Sequence, residues 1–343
     1  MRRNPTITDI AREAGLGPAT VDRVLNERPN VSPRARERVV RAAEALGYPL
    51  PSSLKRRKRD ERPVLNLGFV LHKKGQAFYQ KFAREIEAAC EARADVVIQT
   101  QIRFAASQSP ADFAEEISAA AEGADVVAAT AVNHASLSRL ADDLTRAGTP
   151  VYSLLNDFGG RSGAGYFGMD NVKVGRLAGF MMATRRQRPG KVALFVGGTR
   201  WHGHALREEG FRAYLRDHAP EIVPLDTAVN LETRQLTYEA TLALLNRAPD
   251  LAGLYVAGGG MEGAIAAVRE LRPEERCTLI VNELTPESRA ALSEGIVTMV
   301  IATPLEQLCA ALVDQMIRQQ LGNGDAMTGG KIFAPQIWLP ESV

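Results

Sequence analysis

The sequence has little of what disulfide scaffolds, metal sites and membrane spans require. It contains three cysteines in 343 residues, Cys90, Cys277 and Cys309. They are odd in number, scattered and without metal-ligand spacing, so they read as small buried side chains in a reducing compartment. No apolar run approaches the ~20 residues that cross a bilayer. The first residues, MRRNPTITDI, are basic but lead into no apolar segment or cleavage site, so no secretory signal is expected. No spacing commits to an acid–base pair or to a nucleophile with its base. The glycine-rich turn at 257–263, AGGGMEG, is neither a Walker loop nor a full dinucleotide fingerprint. The expectation is a cytoplasmic, non-enzymatic protein with no cofactor, no metal and no membrane partner.

What is present is an ordinary globular composition, 45% hydrophobic, over a length that suggests two or three domains. The net charge of +2 conceals an asymmetry. Residues 1–63 carry 15 Lys+Arg against 8 Asp+Glu, and the remainder 27 against 32. A basic end on a mildly acidic body suits a nucleic-acid reader with a second function, since counterion release at phosphates supplies much of such affinity.

The stretch TITDIAREAGLGPATVDRVLN (residues 6–26) holds two short amphipathic helices. Ile7, Ile10, Ala11 and Ala14 share one face of the first, with Thr8 expected as its cap and Gly15 as its stop. Pro18 opens the second, whose buried side is Val21, Val24 and Leu25. A third helix is expected from Ser32 as cap and Pro33 to about Leu46, closing a three-helix core with Val39, Ala42, Ala43 and Leu46. On spacing alone, the first pair is either a plain helical hairpin or a helix-turn-helix whose second helix enters the DNA major groove. Residues 49–63, PLPSSLKRRKRDERP, follow as a basic, proline-flanked linker.

Beyond Pro63, strand-length apolar runs alternate with helical segments: residues 65–71, 95–102, 125–130, 150–155, 191–197, 253–258, 278–283 and 298–303. Alternation implies parallel sheets with helices on both faces. Eight strands suit two doubly wound lobes with a cleft between them better than the rival single α/β barrel.

The pattern IT-DIA-x-x-AG-x-x-x-ATV-x-RVLN, with NVSPRARERVVRAAEALGY after it, resembles the headpiece of the LacI/GalR family of bacterial transcription regulators. The resemblance is close over residues 6–48 and looser beyond. It implies a helix-turn-helix headpiece (1–49), a linker (50–63) and a two-lobed sensor (64–343) like the periplasmic sugar-binding proteins. Crossings near Asp170, Ala302 and Gly329 would put 64–169 and 302–328 in the N-lobe and 170–301 and 329–343 in the C-lobe.

Carried over position by position, the resemblance places Pro18, Ala19 and Arg23 at base edges. Arg23 suits guanine, or else pairs with Glu27 on its own helix. Thr8, Thr20, Asn30 and Ser32 suit backbone phosphates, and Lys55 and Arg57 extend the basic linker. Two departures stand out. Asp22 occupies a position where the family has a serine near the phosphates, so either it turns toward Arg23 or a neighbouring base, or the docking differs in detail. Arg57 stands at the family's minor-groove leucine, with Leu54 one turn earlier; an apolar wedge kinks the duplex whereas an arginine can enter a narrow groove without one, so the family's bending mechanism is not assumed.

Ligand contacts in two-lobed folds lie at strand C-termini. Candidates are Phe78 and Tyr79 after the first sensor strand, Asn133 and His134 after the third, and Asn156 and Asp157 after the fourth. The loop and helix GGTRWHGHALREEGF add Arg200, Trp201, His204 and Arg207. The R-x-x-G-F spacing of Arg207, Gly210 and Phe211 resembles the family's arginine that projects into the cleft. Where the family has Asn-Asp, this chain has Gly258-Gly259, whose backbone N–H groups can approach a ligand. Asn282 and Glu283 can replace the lost polar contact. His202 and His204 have no third ligand beside them and read as a solvated loop.

The resulting expectation is a repressor of carbohydrate genes. It would be a homodimer on near-palindromic operator DNA, controlled by a sugar, polyol or sugar acid. A sugar-processing enzyme and a sugar-binding protein, each with a basic extension, are the alternatives.

Overall fold

The computed structural model describes residues 5–26, 28, 31, 33–51, 62–159, 163–185, 190–248, 250–271, 277–322 and 329–343. Expectations resting on Asn30, Ser32, Lys55 and Arg57, and on most of the linker, lie outside the described residues.

The N-terminal unit consists of α1 (Ile7–Ala14), α2 (Pro18–Leu25) and α3 (Pro33–Ala45). The cap of α1 is Thr6, not Thr8. Its hydroxyl accepts from the Asp9 N–H, and the Asp9 carboxylate accepts from the Thr6 N–H at 2.9 Å. This capping box engages the residue that starts the motif and leaves Thr8 exposed inside the first turn. Gly15 ends α1 in the left-handed region at φ +59°, and a Cβ there would come within 2.7 Å of the Arg38 guanidinium. Ile10, Ala11, Ala14, Val21, Val24, Leu25, Val39, Ala42 and Ala43 form the buried core of this unit. The tight turn forces α1 and α2 to diverge and leaves the outer side of α2 uncovered.

The second unit, from Leu65 onward, contains two sheets. The first runs in the order β12-β5-β4-β3-β1-β2, with β1 Val64–His72, β2 Val97–Ala105, β3 Val126–Ala129, β4 Val151–Leu154, β5 Gly165–Met169 and β12 Lys331–Phe333. The second runs β13-β11-β10-β9-β6-β7, with β6 Gly190–Val196, β7 Ile222–Pro224, β9 Leu251–Val256, β10 Thr278–Asn282, β11 Met299–Ala302 and β13 Gln336–Trp338; β8 (Ala228–Val229) also pairs with β6. In the second sheet Leu194, Tyr255 and Ile280 pack into one buried cluster, and Phe195, Leu254 and Leu279 into another. Adjacent residues on each strand thus serve opposite faces, and the strands read as unbroken apolar runs because both faces are covered.

Strand order reverses between β1 and β3 in the first sheet and between β6 and β9 in the second. These are the points where a doubly wound sheet leaves a crevice at its strand C-termini.

The third crossing differs from expectation. Lys331–Phe333 pairs in parallel with Phe167–Met169 of the first sheet, so the chain changes lobe after Phe333 rather than near Gly329. The glycines explain the tight pairing: a Cβ on Gly330 would lie 1.9 Å from the Tyr166 carbonyl. The last strand, β13, pairs antiparallel with β11, a departure from purely parallel sheets.

Candidate functional site

On the headpiece, Pro18, Ala19 and Arg23 are exposed on α2 and Thr20 is half-buried. Arg23 has no ion-pair partner among the described residues. Asp22 is turned aside, its carboxylate accepting from the Asn26 amide at 2.7 Å and lying 3.5 Å from the Arg28 guanidinium. The repulsion that an acid would offer a phosphate is thereby softened, and by Arg28 rather than Arg23.

In the α/β unit the loops at both reversal points converge on one cleft. Nine of the thirteen expected ligand residues line it: Phe78, Tyr79, Asn156, Trp201, His204, Arg207, Gly259, Asn282 and Glu283. The other four lie outside it. His134 caps the helix Ala135–Ala147 through Nδ1. The Asn133 amide donates to the Asp157 carbonyl at 2.9 Å, the Asp157 carboxylate accepts from the Gly159 N–H at 3.2 Å, and Arg200 is exposed.

Arg207 is 7% exposed. Its Nε donates to Asn171 Oδ1 at 2.8 Å and its Nη1 to the Ala257 carbonyl at 2.6 Å. Its helix, His202–His218, crosses Asn171–Arg185 at backbone contact distance. A Cβ on Gly175 would sit 1.9 Å from the Arg207 carbonyl oxygen, and one on Gly210 2.0 Å from that of Val172. The R-x-x-G-F spacing therefore encodes both the cleft arginine and the crossing that holds it.

Trp201 belongs by sequence to the second lobe but packs in the first lobe's core, against Phe113 and His72. Asn156 ties the lobes from the other side, its Nδ2 donating to the Ala131 carbonyl and its Oδ1 accepting from the Gly203 N–H. Three buried polar atoms on the cleft wall have no hydrogen-bond partner among the described residues: Thr130 Oγ1, Trp201 Nε1 and Asn282 Oδ1. Buried orphans of this kind cost free energy unless something in the cleft satisfies them.

At the glycine turn, side chains of the protein itself stand against Gly258 and Gly259. A Cβ on Gly258 would meet the His204 ring at 2.4 Å, one on Gly259 would meet Glu232 Cβ at 2.9 Å, and the Gly259 N–H donates to the Glu232 carboxylate at 3.2 Å. The turn's backbone approach expected for a ligand is taken by an acid of the chain itself.

Glu232 escaped the sequence reading because it follows the two-residue strand β8, too short to announce a strand C-terminus. Leu231 and Glu232 both sit at positive φ, +50° and +54°, a backbone state that non-glycine residues hold only when their surroundings impose it. The imposition is visible. Lys73 Nζ donates to the Leu231 and Glu232 carbonyls, and Gln76 Nε2 to the latter, all from the first lobe. Glu283 likewise has φ +73°, and its carboxylate accepts from the Thr303 N–H and hydroxyl at 2.9 and 2.7 Å. Burial raises the pKa of Glu232, Glu262 and Glu283.

His204 Nδ1 accepts from the Gly197 N–H at 3.1 Å, which leaves the proton on Nε2, 3.7 Å from Glu232. Burial first, then Arg207, lowers its pKa to about 3, and burial lowers that of His72 to about 4. An unfolded histidine protonates near 6.5. Each therefore contributes stability that is complete above that pH and lost as pH falls toward the folded value. His204→Gln is expected to flatten the decline in thermal midpoint from pH 6.5 to about 4; a slope equal to wild type would contradict a buried neutral imidazole.

No helix among the described residues is long and apolar enough to cross a membrane.

Residues 6–50 match the family of bacterial regulatory proteins of the lacI type, and residues 67–324 match the periplasmic binding protein domain family. Catabolite control protein A of Priestia megaterium is 39% identical over 84 residues, 24% of this chain and 25% of that protein. The HTH-type transcriptional regulator CelR of Thermobifida fusca is 28% identical over 288 residues, 80% of this chain and 79% of that one. The first of these alignments thus spans about a quarter of the relative's length. An ABC transporter solute-binding protein from Agrobacterium vitis, bound with alpha-D-tagatopyranose, shares the fold with a TM-score of 0.73 and 19% identity, covering 81% of this chain and 95% of its own. The chain belongs to the periplasmic binding protein domain family over residues 67–324 and carries a headpiece of the bacterial regulatory lacI type ahead of it, at residues 6–50.

Proposed function

We propose that the protein is a DNA-binding transcription regulator, a repressor of carbohydrate-utilisation genes whose operator affinity is set by a sugar-like effector in the cleft. One observation carries the reading: a single chain joins a helix-turn-helix with an exposed arginine-bearing face to a two-lobed cleft walled by three buried polar atoms that have no partner among the described residues. The polar orphans call for a hydroxyl-rich ligand. Arg207, with Nε and Nη1 occupied, is held rigid at the cleft wall.

One headpiece touches too few bases to be specific, so the working form is a cytoplasmic homodimer on a near-palindromic site. Lobe closure provides the two states. An effector that moves the population from mostly one to mostly the other must favour it by ~5.5 kcal/mol. The similarity to CelR, a transcriptional regulator, supports regulation rather than turnover.

Gel shifts on genomic fragments, with and without a panel of sugars, test the reading. Sugar turnover without DNA binding would overturn it. Arg23→Ala is expected to weaken operator binding about 10- to 100-fold, as loss of one bidentate base contact does. It should leave binding to unrelated DNA within about threefold, because the phosphate contacts remain. An equal loss on both would reassign Arg23 to the phosphates.

A further inference from the structure

The cleft carries more negative charge than a neutral sugar needs. Glu232, Glu262 and Glu283 line it, against one guanidinium, that of Arg207. None of the three carboxylates has a lysine or arginine ion-pair partner among the described residues. Glu232 lies 3.7 Å from His204 and 3.9 Å from His72, but both rings are neutral in this buried setting and cannot balance it. Lys73 spends its hydrogen bonds on the Leu231 and Glu232 carbonyls, so it and Arg207 offset the Glu232 carboxylate only through space, while Gln108 Nε2 donates to it at 3.4 Å. Arg207 is likewise tied to Asn171 and the Ala257 carbonyl.

The acids are presented, not incidental. Glu232 and Glu283 are both carried on left-handed backbone, and each is fixed by donors that leave further lone pairs on its oxygens. The aromatic rings of Phe78, Tyr79 and Trp201 stand in the same wall. Carboxylates beside aromatic faces make a seat for an ammonium group, by charge-assisted hydrogen bonds and cation–π attraction. The separate orphans Thr130 Oγ1, Trp201 Nε1 and Asn282 Oδ1 show that polar ligand atoms are missing from the same space.

We infer that the effector is an amine-bearing polyol, an amino sugar or aminocyclitol, with its ammonium group among the cleft carboxylates and its hydroxyls toward Arg207 and the orphaned atoms. Sugar acids and sugar phosphates are disfavoured by the same charges and by Glu232's occupation of the Gly259 N–H. Burial raises the pKa of all three acids, the direction that a bound cation would reverse. This inference rests on the reading of the cleft as an effector site.

Isothermal titration of the full-length protein tests it, with glucosamine, galactosamine and mannosamine set against glucose, galactose, mannose, N-acetylglucosamine, glucuronate and glucose 6-phosphate. At least one amine is expected to bind about tenfold or more tighter than its parent alcohol and its acetylated or acidic counterparts. Glu232→Gln and Glu283→Gln are each expected to cut that preference to about threefold or less. The wild-type panel decides the matter even where a variant does not fold. A neutral or anionic sugar that binds as tightly as the amines and alters the gel shift overturns the inference and leaves the regulator standing. Failure of every compound to bind, with DNA binding intact, removes the sugar-effector reading and this inference together.

Discussion

Arg207→Met is expected to raise the effector dissociation constant about 100-fold or more, to abolish the effector's influence on operator binding, and to leave operator affinity without effector near wild type. The guanidinium is buried and makes two bonds that methionine cannot make, to Asn171 Oδ1 and the Ala257 carbonyl. Each acceptor left dry and unpaired costs about 1–3 kcal/mol. The damage spreads along a chain of contacts. Asn171 donates to the Tyr166 hydroxyl, whose one proton is shared between the Leu155 carbonyl just after β4 and the Met169 carbonyl at the end of β5. Loss of Arg207 therefore loosens both walls of the cleft as well as one polar contact. Titration of effector into the variant, followed by gel shifts over a range of effector concentrations, checks both parts. A variant that still responds at wild-type concentrations would move the effector site elsewhere. Asn171→Ala, which leaves the guanidinium in place but unaligned, is expected to give a smaller loss in the same direction.

The headpiece was legible almost residue by residue because short helices are written in local signals: an apolar face, a proline at the start, a glycine at φ +59° at the stop. The one misplacement, Thr8 for Thr6, came from weighing two neighbouring threonines without seeing that Asp9 lies at the right distance to close the capping box on Thr6. The lobes were legible as apolar runs, but only where strands were long and covered on both faces. Gly165–Met169 was invisible because GYFGM has glycines where strands have branched residues; they admit the Gly330 backbone and the Tyr166 ring. The cleft was legible in Arg207, Trp201, Asn282 and Glu283, which follow recognisable strands. Glu232 was not, since its placement comes from three hydrogen bonds that Lys73 and Gln76 reach over to make from the other lobe, a long-range arrangement with no local pattern. Gly258 and Gly259 were seen, but their partner was misjudged. Glycine reports that something approaches closely, not that it is a ligand, and here it is the His204 ring and Glu232.

Gly175→Ala and Gly210→Ala invert the usual helix rule. Alanine in a helix interior ordinarily gains about 1 kcal/mol over glycine, whereas substitution of Gly123, exposed in the turn after the helix Pro110–Ala121 with nothing within 4 Å of a built Cβ, should change stability little. At Gly175 the new methyl would stand 1.9 Å from the Arg207 carbonyl oxygen, and at Gly210 2.0 Å from that of Val172. Backbone cannot swing aside as a side chain can, so the two helices must separate along the crossing. Overpacking of this kind costs about 1–3 kcal/mol and sometimes more, which outweighs the helix gain. For a unit of this size each kcal/mol lowers the thermal midpoint by roughly 2–4 °C, so each variant is expected to melt about 5 °C or more below wild type. The double variant should fall short of the sum, because the separation that relieves one contact relieves the other. Moving the helix also moves Arg207, so weaker effector binding should accompany the lower midpoint. Variants that melt at or above wild type would mean that the helices cross farther apart than this backbone places them, and the cleft arginine would then owe its position to its hydrogen bonds alone.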